Sequence, residues 1–517
     1  MKWEVVMKTA SSFPILLAFG VVIRIPALLE PVQEGQRNAQ TATLTAGMIE
    51  DGRLRLDPIA PWRGDLDARL VQELPVYNLC VLALAKIPGL SLDVAGRSVS
   101  LIFWALGFWL LQKLWQLALP KDAHFWANLL FVLAPMSWYL STAFMPETLV
   151  LVLSLAFILL SLLFAAQPTW QKLVLFTTVG VIGLLVKFPA FVHLGLFFVL
   201  LVTDRRGVRS LFRMDLWGAG LVIVIMLFGW SRYVDAVNSP FFPCWRGWEN
   251  LRGFLRLETS RLSLGFWAPL AAYNFTFVLP AVAVPFAGAG LVAMARLRSD
   301  FRSRVWLYLL LSLLGGWLLW AKGAAAHSYY NLPNLPLFCA LFGMGLATSF
   351  GKVSLRPRTA MAAKLSLALL LFMWGAEAYA YLARPDRTTV EAATWVKAHS
   401  GGKDLVIYQP RHMASVLDYE HQPLFSHASS RRSWVWTRST PDWEKEIACK
   451  SSSWLVVTDP PDRISWLESL RRFFKGDPRP APTSLAEDQA GQWIEAYRGE
   501  AFTIYRPKLE PYKGNAQ

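Results

Sequence analysis

"LLEPVQEGQRNAQTATLTAGMIEDG", residues 28–52, follows directly on the first long apolar run and decides how the whole chain reads. It places Glu30, Glu34 and Arg37 where a membrane-crossing helix would leave the bilayer, then continues as a small, polar run of helical character. Glu34 and Arg37 stand three apart, so on a helix they share a face, and Thr41 continues that face one turn later. An ion pair capping an interfacial helix fits this spacing, and so does an acidic site at the membrane surface. The choice depends on whether other polar groups reach the same side.

The 517 residues are 54% hydrophobic and only 17% charged, with 24 Trp and a mean hydropathy of +0.36, which excludes an ordinary soluble globular class. Apolar runs near the roughly 20 residues needed to cross hydrocarbon recur from Ser11 to Leu382. They must be helices, because backbone groups find no water partner there. From Thr388 onward charge and proline rise, and apolar runs shrink to strand length, as in "DLVIY" and "SWLVV". "TTVEAATWVKAHSGGKDLVIYQP" reads as a helix, a glycine stop and a strand, and "SWLVVTDPPDRISWLESLRRFF" repeats strand then helix. The expected architecture is an α-helical polytopic membrane domain over 1–387, followed by a small soluble α/β domain over 388–517.

A net charge of +15 would suggest nucleic acid in a soluble protein. Here the excess sits in short loops, "TDRRGVRSLFRMD" (203–215), "ARLRSDFRSR" (295–304) and "GKVSLRPRTAMAAK" (351–364), as the positive-inside bias predicts for cytoplasmic loops. Membrane lipids, and no nucleic acid, are the partners this implies. With those loops inside, parity gives about eleven spans, an inner N-terminus and an outer C-terminus. The spans lie near 11–29, 98–118, 124–143, 148–166, 172–187, 189–203, 216–231, 268–294, 305–321, 332–349 and 364–382. "ELPVYNLCVLALAKIPG" is interrupted by Lys86 and Pro88 and reads as a helix lying at the interface within a long outer loop, 30–95. The first apolar run lacks a small-residue cleavage site and so reads as a span. Four cysteines without CxxC spacing form no metal or redox motif. Cys80 and Cys339 sit in apolar surroundings, whereas Cys244 and Cys449 both fall outside the cytoplasm, where a disulfide is one option.

The same parity gathers the conspicuous polar groups at the outer face. "APWRGDLDARLVQELP" supplies Arg63, Asp65 and Glu73, which read equally as acceptor-side groups or as solvated loop. Glu147 in "AFMPETLV" sits where an outer turn re-enters an apolar run; a carboxylate at membrane depth is a functional candidate, and the dipole of the following helix also favours it. Lys187 in "LLVKFPAF" either snorkels to the interface or holds an anionic head group. The turn "KGAAAHSYYNLPNLP" packs His327, Tyr329, Tyr330 and Asn331 before a span, an aromatic belt or a hydrogen-bonding site. In the outer loop 232–267, Arg246 and other arginines break the positive-inside trend, which suits phosphate recognition or attraction to a lipid surface.

In order and topology these segments resemble the membrane glycosyltransferases of the C superfamily, particularly the bacterial relatives of protein O-mannosyltransferases and of the lipid A aminoarabinose transferase. The carriers are "EGQRNAQTATLTAGMIEDG", "WRGDLDARLVQELPVYNLCVLAL", "AGRSVSLIF", "MPETLV", "LLVKFPA" and "HSYYNLPNLP", spread over almost the whole chain. The resemblance implies a bacterial inner-membrane enzyme. A sugar carried on polyprenyl phosphate would be transferred with inversion, on the periplasmic side, to an acceptor that is a protein, a lipid or a glycan. Glu34 matches the essential acid of the first outer loop; many relatives carry Asp there, often in an Asp-Glu pair, where this chain has Glu34 and Gly35. Glu147 matches a second acid, and His327, Tyr329 and Tyr330 match the turn that contacts the donor and its phosphate. Arg37, Lys187 and Arg246 are the cations expected at the phosphate. No cofactor follows, although a divalent metal ion between Glu34 and Glu147 is an arrangement two carboxylates could support. The competing class is a lipid or polysaccharide flippase, since charged groups near a membrane also mark translocation paths. Against it, the polar groups cluster at one face and the sequence shows no internal repeat.

Overall fold

The structure is a computed structural model that describes residues 13–29, 36–51, 56–60, 69–239, 247, 264–326, 328–352, 357–382, 387–399, 405–410, 432–435, 453–458, 493–498 and 502–507. The chain forms two compact units, one of Met1–Glu30 with Val71–Ala383, the other of Pro31–Leu70 with Arg384–Gln517.

The first unit is helical. Among the described residues, six helices are long and apolar enough to cross a membrane, and a seventh span arises if Phe266–Val278 and Ala281–Arg296, bent by 87°, count as one. That bend divides the single run expected over 268–294. It falls at Leu279 and Pro280, where Asn274–Val278 forms a π turn and proline removes the N–H that would continue the ladder. The run expected over 124–143 is likewise two helices, Lys121–Leu133 and Pro135–Ser141, because Ala134 is forced out of the helical region (φ −59°, ψ 130°) ahead of Pro135. The helix expected at the interface is Val76–Ala85; it buries Tyr77 and Val81, and the Tyr77 hydroxyl donates to Gly96 O at 2.7 Å.

The core of this unit includes an aromatic stack of Trp104, Phe108 and Phe131, with centroids 5.2–5.8 Å apart. Arg24 lies 4.0 Å over the Trp104 ring and is fully buried. Its guanidinium donates to Gly20 O at 2.9 Å, Val132 O at 3.0 Å and Ser141 Oγ at 2.5 Å. Two of these acceptors are carbonyls at helix ends, which otherwise lack donors, so one cation closes both ends. Val284–Arg296 and Leu335–Lys352 meet through Gly290 and Gly345: a Cβ on either would run into a carbonyl oxygen of the other helix, Leu341 O or Phe286 O.

Three consecutive helices give this unit two chemically distinct ends. Glu147–Ala166 and His193–Arg206 run the same way, joined by Trp170–Phe191 running back. At their last turns Arg206 donates to Ala165 O (2.9 Å) and Ala166 O (2.8 Å), Arg304 donates to Asp204 at 3.1 Å, and Arg205 covers the Phe301 ring. The basic segments 203–215 and 295–304 therefore share one end, and Glu147 opens the other.

In the second unit, helix Gln36–Asp51 carries threonines at 41, 43 and 45 that each donate to the carbonyl four residues earlier, at 2.7–2.8 Å. Ile59 bridges Arg69 antiparallel, and Arg69 Nη1 donates to Asp57 O at 2.8 Å. A five-stranded sheet of order β2-β1-β3-β5-β4 comprises β1 Leu405–Pro410, β2 Arg432–Val435, β3 Ser453–Thr458, β4 Trp493–Arg498 and β5 Phe502–Pro507. β1 is parallel to β2 and β3, whereas β5 pairs antiparallel with β3 and β4. Helix Arg387–His399 buries Ala392, Ala393 and Val396. The second expected helix, in "ISWLESLRRFF", lies outside the described residues.

Candidate active site

Lys187 interrupts helix Trp170–Phe191, with φ −159° and ψ 82°. The turn expected at Lys187 falls where two helical stretches meet at a kink, and the next separate helix begins at His193. Pro189 explains the break. It cannot donate to the carbonyl four residues earlier, that of Leu185, and its ring crowds that oxygen. The vacant acceptor is taken by Leu74 N–H from another segment, at 3.0 Å. One proline thus bends the helix, turns the Lys187 side chain out of the regular ladder, and ties down the residue next to Glu73.

Glu147 is the first residue of its helix, after Pro146, where a carboxylate complements the unsatisfied N–H groups of the first turn. The preceding turn is held by Ser100, whose hydroxyl donates to Ala143 O at 2.6 Å and Met145 O at 3.3 Å and meets Tyr77 Oη at 2.9 Å. Glu147 and Lys187 are 2% and 5% exposed. The ammonium Nζ donates to Glu147 Oε1 and lies 3.7 Å from Glu73 Oε1. It also faces the rings of Tyr329 and Tyr330, at 4.7 and 4.8 Å from their centroids. Cation–π attraction and two carboxylates together offset the cost of burying the ammonium. Glu147 Oε2 is buried and has no hydrogen-bond partner among the described residues.

The two tyrosines sit on the 3-10 segment Ser328–Asn334, fixed by a buried asparagine triad. Asn274 Nδ2 donates to Asn331 Oδ1 at 3.0 Å and to Leu270 O at 2.8 Å, while Asn334 Nδ2 donates to Asn274 Oδ1 at 3.1 Å and Asn331 Oδ1 at 3.2 Å. Asn274 comes from the π turn, so the bend at Pro280 and the tyrosine turn form one hydrogen-bonded body.

The structure thus brings together Glu73, Glu147, Lys187, Tyr329 and Tyr330. Arg37 lies half-buried on helix Gln36–Asp51 in the other unit. Glu34, Arg63, Asp65, Arg246 and His327 lie outside the described residues, as do Cys244 and Cys449; Cys80 and Cys339 are free thiols. Asn274, Asn334, Tyr77 and Ser100 were not singled out by sequence. Their only signal is a polar residue inside an apolar run, which many buried helices share. Among the described residues no three His, Cys, Asp or Glu side chains are grouped to hold a metal ion.

Solved structures share this architecture, among them the following three. ArnT from Cupriavidus metallidurans, bound to undecaprenyl phosphate, matches with a TM-score of 0.63 and 13% identity over 96% of this chain and 98% of its own. The oligosaccharyltransferase of Archaeoglobus fulgidus in its apo form gives 0.54 and 12% identity, over 89% of this chain and 70% of that one. The arabinofuranosyltransferase AftD from Mycobacteria gives 0.52 and 15%, over 97% of this chain and 40% of AftD. No family model matches the sequence, and no curated protein matches it. At 12–15% identity these likenesses show a shared fold.

Proposed function

We propose that the protein is a glycosyltransferase of the bacterial inner membrane that moves a sugar from a polyprenyl-phosphate donor to an acceptor hydroxyl or amine at the periplasmic face, with inversion. The observation that carries this reading is the buried Glu73–Lys187–Glu147 cluster, drawn from three separate segments to the acid end of a fold shared over nearly its full length with a polyprenyl-phosphate-bound transferase. The N-terminus lies in the cytoplasm, about eleven spans follow within 1–387, and residues 388–517 form a periplasmic α/β domain.

In the reaction the bond from the anomeric carbon to the phosphate oxygen breaks and its electron pair leaves with the phosphate. The acceptor oxygen or nitrogen bonds to the opposite face of that carbon and gives up a proton. Glu34 takes the proton or positions the acceptor, and direct displacement needs no carboxylate nucleophile. Arg37, Arg246 and His327 are the groups for the phosphate, where fork-shaped donors stabilise the growing negative charge. Tyr329 and Tyr330 line the donor side; Arg63 and Asp65 belong to the acceptor side. A divalent ion bridging Glu34 and Glu147 fits poorly, because the Lys187 ammonium already sits on Glu147 and would repel it, so no step passes through a metal.

Purified protein incubated with labelled polyprenyl-phosphate sugars is expected to transfer the sugar or hydrolyse the donor. Movement of donor across liposomes without chemistry would replace this reading with a flippase. Glu34→Gln in folded protein is expected to abolish transfer; retained activity removes Glu34 from the proton-accepting role.

A further inference from the structure

Resting on the proposed polyprenyl-phosphate donor, we infer that Lys187 is a positioning residue for Glu147 and not a ligand of the lipid phosphate. The Lys187 side chain is 3% exposed, and its ammonium already faces two carboxylates and two aromatic rings. A phosphate drawn to the same nitrogen would add another negative charge at short range where water screens poorly. Swinging Lys187 over to it would strand Glu147 as a buried, unpaired carboxylate, the costly half of a broken ion pair. The backbone opposes the swing as well, since the break at Lys187 is locked by Pro189 on one side and by the Leu74 to Leu185 hydrogen bond on the other.

What Lys187 does accomplish is visible in Glu147. Its Oε1 is engaged, whereas Oε2 is buried with no hydrogen-bond partner among the described residues. Buried carboxylate oxygens are normally satisfied, so an orphan beside a locked partner marks the place where a substrate group completes the bonding. Lys187 fixes the rotation of the carboxylate, and Oε2 accepts a hydrogen bond from a hydroxyl of the sugar or the acceptor. Glu73 lies farther from the ammonium and its side chain is 19% exposed.

Two measurements on detergent-purified full-length protein test this: steady-state transfer, and binding of undecaprenyl phosphate. Lys187→Met is expected to lower kcat about a hundredfold through loss of orientation, with Lys187→Arg recovering part of it. Because Lys187→Met leaves an uncompensated buried charge, binding is measured on the neutral double variant Lys187→Met/Glu147→Gln. Its Kd for undecaprenyl phosphate is expected to stay within about twofold of the unsubstituted protein. Binding weaker by about tenfold or more would mean a lost charged contact to phosphate and would overturn the inference, as would full activity in Lys187→Met. Failure of the unsubstituted protein to bind undecaprenyl phosphate would instead overturn the proposed donor, and this inference with it.

Discussion

Asn274 shows how a neutral residue can set the geometry of a charged site. It donates to Asn331 and Leu270 O and accepts from Asn334, so both polar atoms of its amide are used inside the helical unit. Asn274→Leu keeps the volume nearly constant but removes three hydrogen bonds and leaves Asn331 Oδ1 and Asn334 Nδ2 with fewer partners. Buried polar networks are costly when half satisfied, so a loss of about 2–4 kcal/mol of stability is expected. The readout is a lower melting temperature in detergent together with reduced transfer, because Tyr329 and Tyr330 ride on the same turn. An unchanged melting temperature would show that the triad does not hold the turn.

At the scale of elements, the break in Trp170–Phe191 gives a sharper test. Pro189→Ala restores an N–H that can bond Leu185 O and competes with Leu74 for that acceptor. The helix then tends to run straight through Lys187 and releases the segment bearing Glu73. Helix content by circular dichroism is expected to stay the same or rise, while transfer falls by about tenfold to a hundredfold from misplacement of the cluster. Unchanged activity would mean that the break does not position the site. "KFP" contains this information in sequence, since proline two residues after lysine forbids a regular ladder. What it cannot contain is the identity of the segment that fills the vacant carbonyl. Glu147 and Lys187 stood out in sequence for the same kind of reason, as charges in apolar surroundings. Their pairing did not, because it depends on how two helices, Glu147–Ala166 and Trp170–Phe191, pack at one end. The bend at Pro280 and the split at Pro135 were missed because hydropathy averages over a window and is blind to one absent N–H.

For the whole molecule, the sequence and structure meet in the separation of charge between two ends. Helix Glu147–Ala166 is 20 residues, about 30 Å at the α-helical rise, with the Glu147–Lys187 pair at its start and the Arg206 contacts at its finish. That length matches the hydrocarbon thickness of a bilayer, so the two ends belong to opposite faces. In the proposed topology, with the basic loops inside, the arginine end faces the cytoplasm and the acid end the outside. Single cysteines placed in a background lacking the four native ones can test the assignment in intact cells with a membrane-impermeant maleimide. A cysteine at Arg209, exposed beside the basic end, is expected to stay unlabelled until the membrane is opened. One at Ile87, exposed just beyond helix Val76–Ala85, is expected to label at once. The reverse pattern would put the acid cluster in the cytoplasm, where a periplasmic acceptor could not reach it.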